Sequence, residues 1–137
     1  MERAKKILVV DDEEGIRFLL SEVLLNQGFE VSLARDGQES LDKLEEDHFD
    51  LVVTDINMPR LDGVAMLKRM KMTGRTEKVI VMTGDPSNRR LLDKEIPPIV
   101  TRLLKPFGLE NFLNVVIAAT GKGLEMASVD QVQSVPG

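Results

Sequence analysis

Five short runs of β-branched and aliphatic residues punctuate this chain, at Ile7–Val10, Phe29–Ala34, Asp50–Asp55, Lys78–Thr83 and Ile99–Leu104. Each is followed by a segment with apolar residues three and four apart. After the first these are Ile16, Leu19, Leu20, Val23 and Leu24, and after the last Leu109, Phe112, Leu113, Val116 and Ile117. Leu41 and Leu44, then Val64, Leu67 and Met70, then Leu91 and Leu92, mark the three between. A period of two alternating with a period near 3.6 predicts five strands interleaved with five helices. A helix between two strands brings the chain back parallel, and helices on both faces bury the sheet. The expected class is therefore α/β, a doubly wound (βα)5 parallel sheet. Gly28, Gly74 and Pro97-Pro98 end helices, and Asp36-Gly37 turns the chain. Asp85-Pro86 reads as an N-cap and first helical residue, opening a short fourth helix that runs to about Ile96.

The strands end on chemistry. Asp11 and Asp12 follow the first, Asp55 ends the third, Thr83 ends the fourth and Lys105 follows the fifth, whereas nothing comparable follows the second. Open parallel sheets bind ligands beyond their C-terminal strand ends, where the strand order reverses. The asymmetry fits order 2-1-3-4-5, with strands one and three adjacent at the centre. Asp55 should then sit at the tip of a buried strand, because Met58-Pro59 stops regular structure just after it. Three carboxylates crowded at neighbouring strand ends repel one another, and a hard divalent cation with oxygen ligands relieves that repulsion. Lys105 adds a counter-charge. Gly84 allows a tight turn after Thr83.

Bulk numbers narrow the function. A chain of 137 residues suits one domain, read here as 1–120 with a polar tail or linker start at 121–137. The formal charge of −5 argues against direct nucleic-acid binding or docking on an anionic membrane. There is no cysteine and one histidine, His48, which excludes thiol chemistry and multi-histidine metal sites. No apolar run approaches the ~20 residues of a membrane span, so the cytoplasm is the expected compartment. His48 and the Glu45-Glu46-Asp47 run read as solvated surface, and the seven methionines mostly as core filling. Met1 and the basic start suit a natural N-terminus, while 127–137 equally suits a linker into a longer protein.

Five motifs in this order and spacing resemble the receiver domain of two-component response regulators: Val9-Val10-Asp11-Asp12, Thr54-Asp55-Ile56-Asn57-Met58-Pro59, Asp62-Gly63, Met82-Thr83-Gly84 and Lys105-Pro106-Phe107. The resemblance covers residues 5–120 and implies a flavodoxin-like sheet. It also implies that Asp55 accepts a phosphoryl group from a phosphohistidine on a sensor histidine kinase or histidine phosphotransfer protein. Asp11, Asp12, Asp55 and the backbone carbonyl of Asn57 would hold Mg2+, for which Mn2+ can substitute. Thr83, Gly84 and Lys105 would contact the phosphoryl group, and Asn57 would tune the lifetime of the aspartyl phosphate. Output would pass to a downstream protein or attached domain, or through a homodimer, by the face of helix four, strand five and helix five. Arg89, Arg90, Arg102 and Phe107 are the expected residues of that face.

Two departures stand out against the family pattern. Most relatives carry Tyr or Phe three residues before the lysine, where this chain has Arg102, and often Gly-Ala where it has Pro97-Pro98. The phosphorylation chemistry looks intact, while the aromatic part of the switch is absent. Arg102 exchanging salt-bridge partners is one substitute route. Two alternative functions compete with this reading. A haloacid-dehalogenase-type phosphatase wants Asp two residues after its nucleophile and commonly Thr at the fourth, where this chain has Asn57 and Pro59. A receiver-like binding module that takes no phosphate fits Arg102 and the prolines but not the retained acids, Thr83 and Lys105. Dinucleotide binding lacks its glycine-rich loop after strand one.

Overall fold

The computed structural model describes residues 3–85 and 89–121. The elements are β1 (Lys6–Val10), α1 (Glu14–Asn26), β2 (Glu30–Ala34), α2 (Gly37–Glu46), β3 (Leu51–Asp55), α3 (Gly63–Met72), β4 (Lys78–Thr83), a 3-10 turn (Arg89–Leu92), β5 (Ile99–Leu104) and α4 (Leu109–Thr120). All four strand pairings are parallel, in the order β2-β1-β3-β4-β5, as the strand-end asymmetry predicts.

The sheet buries both faces because its central strands are apolar along their middle, at Ile7–Val10, Leu51–Val53 and Val79–Met82. Ile7, Val9, Leu51, Val53, Ile80, Met82 and Leu103 pack with residues of α1 and α4. Leu8, Val10, Val52, Val79 and Val81 pack with α2, α3 and the segment before β5. β2, which alternates, lies at the edge and is buried fully only at Ala34.

A register shift between Val79 and Ile80 sets the orientation of β5. Val79 pairs with Ile99, but Ile80 pairs with Thr101, so Val100 is an extra residue. From that bulge onward Leu103 turns into the α1/α4 core, and Arg102 shares a face with Val81.

The fourth helix, expected to be short, is a single 3-10 turn among the described residues. Only Leu91 of its four residues is buried, and Leu92 is 70% exposed. A helix with one apolar anchor gains too little burial to offset its ordering cost. Asp93 then turns the chain by accepting from Glu95 N–H at 2.8 Å, and Pro97-Pro98 prevent a restart. The expected helix start at Pro86 lies outside the described residues. So does the polar stretch assigned as a tail, apart from Gly121. Gly121 caps α4 at φ 70°, donating its N–H to Ile117 O at 3.0 Å.

Candidate functional site

Three strand ends converge on one cluster. Asp11 leaves β1 fully buried, its N–H donating to Ala34 O at 3.1 Å, which ties it to the end of β2. Its Oδ1 accepts from Glu13 N–H at 2.9 Å, and its Oδ2 accepts from Lys105 Nζ at 3.0 Å. Asp55, 8% exposed, accepts from Ile56 N–H through Oδ1 at 2.8 Å and from Lys105 through Oδ2 at 3.3 Å. Asp12 is exposed beside them. One carboxylate oxygen from each of Asp11, Asp12 and Asp55 lies within 4.8 Å of the others.

The electrostatics follow from burial. Desolvation pushes the Asp55 carboxyl above its usual range, with the Asp11 charge adding to that effect and Lys105 opposing it. Burial alone would lower the Lys105 ammonium. The hydrogen bond and charge of Asp11, then those of Asp55, outweigh burial and raise it. Lys105 is thus held charged between two acids. It answers one of three negative charges, and the remaining pair of charges on hard oxygen donors suits a small divalent cation. The donor set therefore fits Mg2+.

Thr83, 1% exposed, ends β4, one residue past the Met82 that pairs with Asp55. Its hydroxyl accepts from Asp85 N–H at 3.0 Å and donates to Asp85 O at 3.1 Å, so it is engaged with its own loop. Thr83 O also accepts the Lys105 backbone N–H at 2.9 Å, and the Lys105-Pro106 peptide is cis. Gly84 has open space where a Cβ would stand. Asn57 is exposed between buried Ile56 and Met58.

The residues expected on the output face divide. Arg89 is exposed. Arg90 is exposed and pairs with Asp62 at 2.6 Å. Arg102 is exposed on β5, makes no ion pair with a described residue, and borders a groove of about 300 Å3 with Lys71, Leu91, Asp93 and Ile96. Phe107 corrects the expectation. It is 6% exposed and stacks on Phe112 at 5.9 Å, because an aromatic ring next to the α4 face gains more from the core than from water.

Several positioning residues escaped the sequence reading. Arg17 on α1 donates to Asp11 O at 2.7 Å. Its register, one helical turn into α1 and six residues past Asp11, was the available signal. Gly63, part of the Asp62-Gly63 motif, carries a packing constraint. A Cβ there would stand 2.3 Å from Asp55 O, and its N–H donates to Ile56 O at 2.8 Å. Asp36, Gly37, Arg60 and Leu61 form a contact between the β2–α2 turn and the β3–α3 loop. That contact joins residues 24 positions apart, which no local pattern shows.

With this geometry in place, comparisons with known proteins agree on one family. Residues 7–117 match the model of the response regulator receiver domain. Sporulation initiation phosphotransferase F of Bacillus subtilis is 35% identical over 112 residues, covering 82% of this chain and 90% of that protein. Response regulator MprA of Mycolicibacterium vanbaalenii is 38% identical over 108 residues, but the chain spans only 47% of its length. Chemotaxis response regulator CheY4 of Vibrio cholerae superimposes with a TM-score of 0.78 at 29% identity, covering 85% of this chain and 99% of that one. Response regulator TrrA of Thermotoga maritima, solved in complex with Mg(2+)-BeF, gives 0.73 at 33% identity, covering 84% of this chain and 98% of that one.

Proposed function

The chain belongs to the response regulator receiver family, and from that premise we propose that Asp55 is its phosphoryl acceptor. The donor is a phosphohistidine on a sensor histidine kinase or histidine phosphotransfer protein. A carboxylate oxygen of Asp55 attacks phosphorus in line with the departing imidazole nitrogen. The P–N bond breaks with its electron pair going to nitrogen, and a P–O bond to Asp55 forms. Little covalent help is needed, because the transition state is loose and rewards positioning and charge. Lys105 is already charged between Asp11 and Asp55, where incoming phosphoryl oxygens would meet it. Asp11, Asp12, Asp55 and the Asn57 carbonyl would hold Mg2+, or Mn2+, which supplies the remaining positive charge when bound. Water later attacks the phosphorus, releasing inorganic phosphate and restoring the carboxylate. The exposed Asn57 side chain stands two residues away and is suited to tune that step.

Thr83 supplies the switch. To donate to a phosphoryl oxygen, its hydroxyl must leave the Asp85 backbone, which draws the β4 loop inward across Gly84. The domain is a signalling module that assists its own phosphorylation and dephosphorylation, working in the cytoplasm. Near-complete overlap with phosphotransferase F suits a free-standing relay, and half-length overlap with MprA suits an attached output domain.

The observation that carries this reading is the Lys105 ammonium bridging Asp11 and Asp55 at 3.0 and 3.3 Å. Intact mass spectrometry after acetyl phosphate and Mg2+ tests it. One added phosphoryl group, absent in Asp55→Asn and without Mg2+, is expected. A parent that stays unlabelled under conditions that label other receivers would sink the proposal. Turnover of a phosphate ester would point to a phosphatase instead.

A further inference from the structure

We propose that Asp36 and Arg60 are positioning residues for the phosphoacceptor loop, setting the divalent-cation affinity of the site and the lifetime of phosphorylated Asp55. The inference rests on the receiver reading and adds a regulatory contact to it.

The loop from Ile56 to Asp62 is pinned at two places. On the inner side Gly63 closes against the Asp55 and Ile56 backbone. On the outer side it meets the β2–α2 turn. Gly37 N–H donates to Leu61 O at 2.9 Å, and a Cβ on Gly37 would stand 2.3 Å from that oxygen. Beside this contact Arg60 Nε reaches Asp36 Oδ2 at 3.2 Å. Asp36 is 2% exposed, and its Oδ1 is already used to cap α2 through Glu39 N–H at 2.8 Å. The second oxygen is therefore assigned to the loop.

Arg60 carries the decisive feature. Its φ of 66° is the only positive value at a non-glycine position among the described residues. A β-carbon in that region is disfavoured and persists where surrounding contacts over-determine it. A half-exposed ion pair alone adds little stability. What the Asp36 contact does is select one loop conformation, three residues from Asn57, whose carbonyl belongs to the proposed cation site. Small shifts at such a ligand change affinity and lifetime out of proportion to stability.

Two variants separate positioning from folding. Arg60→Gly removes the guanidinium while accepting φ 66°. Asp36→Asn keeps the cap, since Asn caps helices as well as Asp, and removes the charge. Mg2+ affinity by calorimetric titration and the half-life of the phosphorylated protein are measured well below Tm for the parent, both singles and the double. Each single should weaken Mg2+ binding about 3- to 10-fold and change the half-life at least about twofold. The double should resemble the singles, because they remove one shared contact. Affinities and half-lives within about 1.5-fold of the parent, or fully additive effects, overturn the inference. A parent that takes neither Mg2+ nor a phosphoryl group overturns the receiver chemistry and this inference with it. A labelled parent with unaltered variants overturns the inference alone.

Discussion

At Asp55 the cost of burial exceeds the pull of Lys105, so the folded state holds its proton more tightly than the unfolded chain does. The sign of the stability effect follows from linkage. Above the ordinary carboxylate pKa of about 3.9 the unfolded chain has released that proton while the fold still retains it. The native state then binds more protons than the unfolded state, and stability falls as pH rises through this window. Asp55→Asn removes the penalty and leaves Lys105 paired with Asp11. In EDTA its Tm should exceed that of the parent at pH 7, with the gap narrowing toward pH 4. Thermal unfolding across that range checks the point, and a variant no more stable than the parent at pH 7 contradicts it. Lys105 has the same sign in a different window. Its raised value contributes stability that is complete below about pH 10 and lost at still higher pH. The acceptor site is thus built at a cost to the metal-free fold.

The elements around the site differ in how firmly they are held. β1, β3 and β4 are buried at nearly every position, so the ends that carry Asp11, Asp55 and Thr83 start from a rigid base. Among the described residues, the segment between β4 and β5 buries only Leu91, Ile96 and Pro97, and its contacts at the surface include Arg90 with Asp62, Lys68 with Asp93 and Glu95, and Lys71 with the carbonyl of Lys94. It is the element that a moving Thr83 loop would displace first. Arg102 faces this segment across the groove that includes Asp93, and the position holds no ring to turn inward. Output is expected to pass through new contacts of Arg102 when the loop moves. Arg102→Ala should then leave Asp55 labelling within about twofold of the parent. The phosphorylation-dependent change in hydrogen exchange over residues 89–104 should be at least halved, at about twofold precision. An unchanged exchange response would exclude Arg102 from the route.

On the scale of the molecule, two cores on opposite faces of one sheet hold the site edge in register. Among the described residues, every element that reaches either core lies between Lys6 and Thr120, and Gly121 closes the last helix. A chain ending at Gly121 should therefore match the full chain to within about 0.5 kcal/mol of unfolding free energy. It should label equally with acetyl phosphate. Chemical denaturation and mass spectrometry compare the two, and a loss beyond that margin would give residues past 121 a structural role.

Much of this was legible from local pattern. The two hydrophobic periods determine five strands and their crossovers, and polar residues at strand ends mark the sheet edge that carries chemistry. Asp11, Asp55, Thr83 and Lys105 can be placed on that edge because a strand end is a local feature. Burial of Phe107 was not legible, since an aromatic residue after a strand reads the same whether it faces water or Phe112. The Val100 bulge was likewise hidden. Ile99-Val100-Thr101-Arg102-Leu103-Leu104 is a strand by composition under either register. One extra residue against Ile80 decides that Leu103, not Arg102, enters the core. The contact of Asp36 with Arg60 and the approach of Gly63 to Asp55 O arise only when loops from different strands meet. The sequence alone determined which groups stand at the edge, because strand periodicity is short-range. Only the tertiary structure decided how the loop bearing Asn57 is held beside them, because that depends on packing between segments distant in the chain.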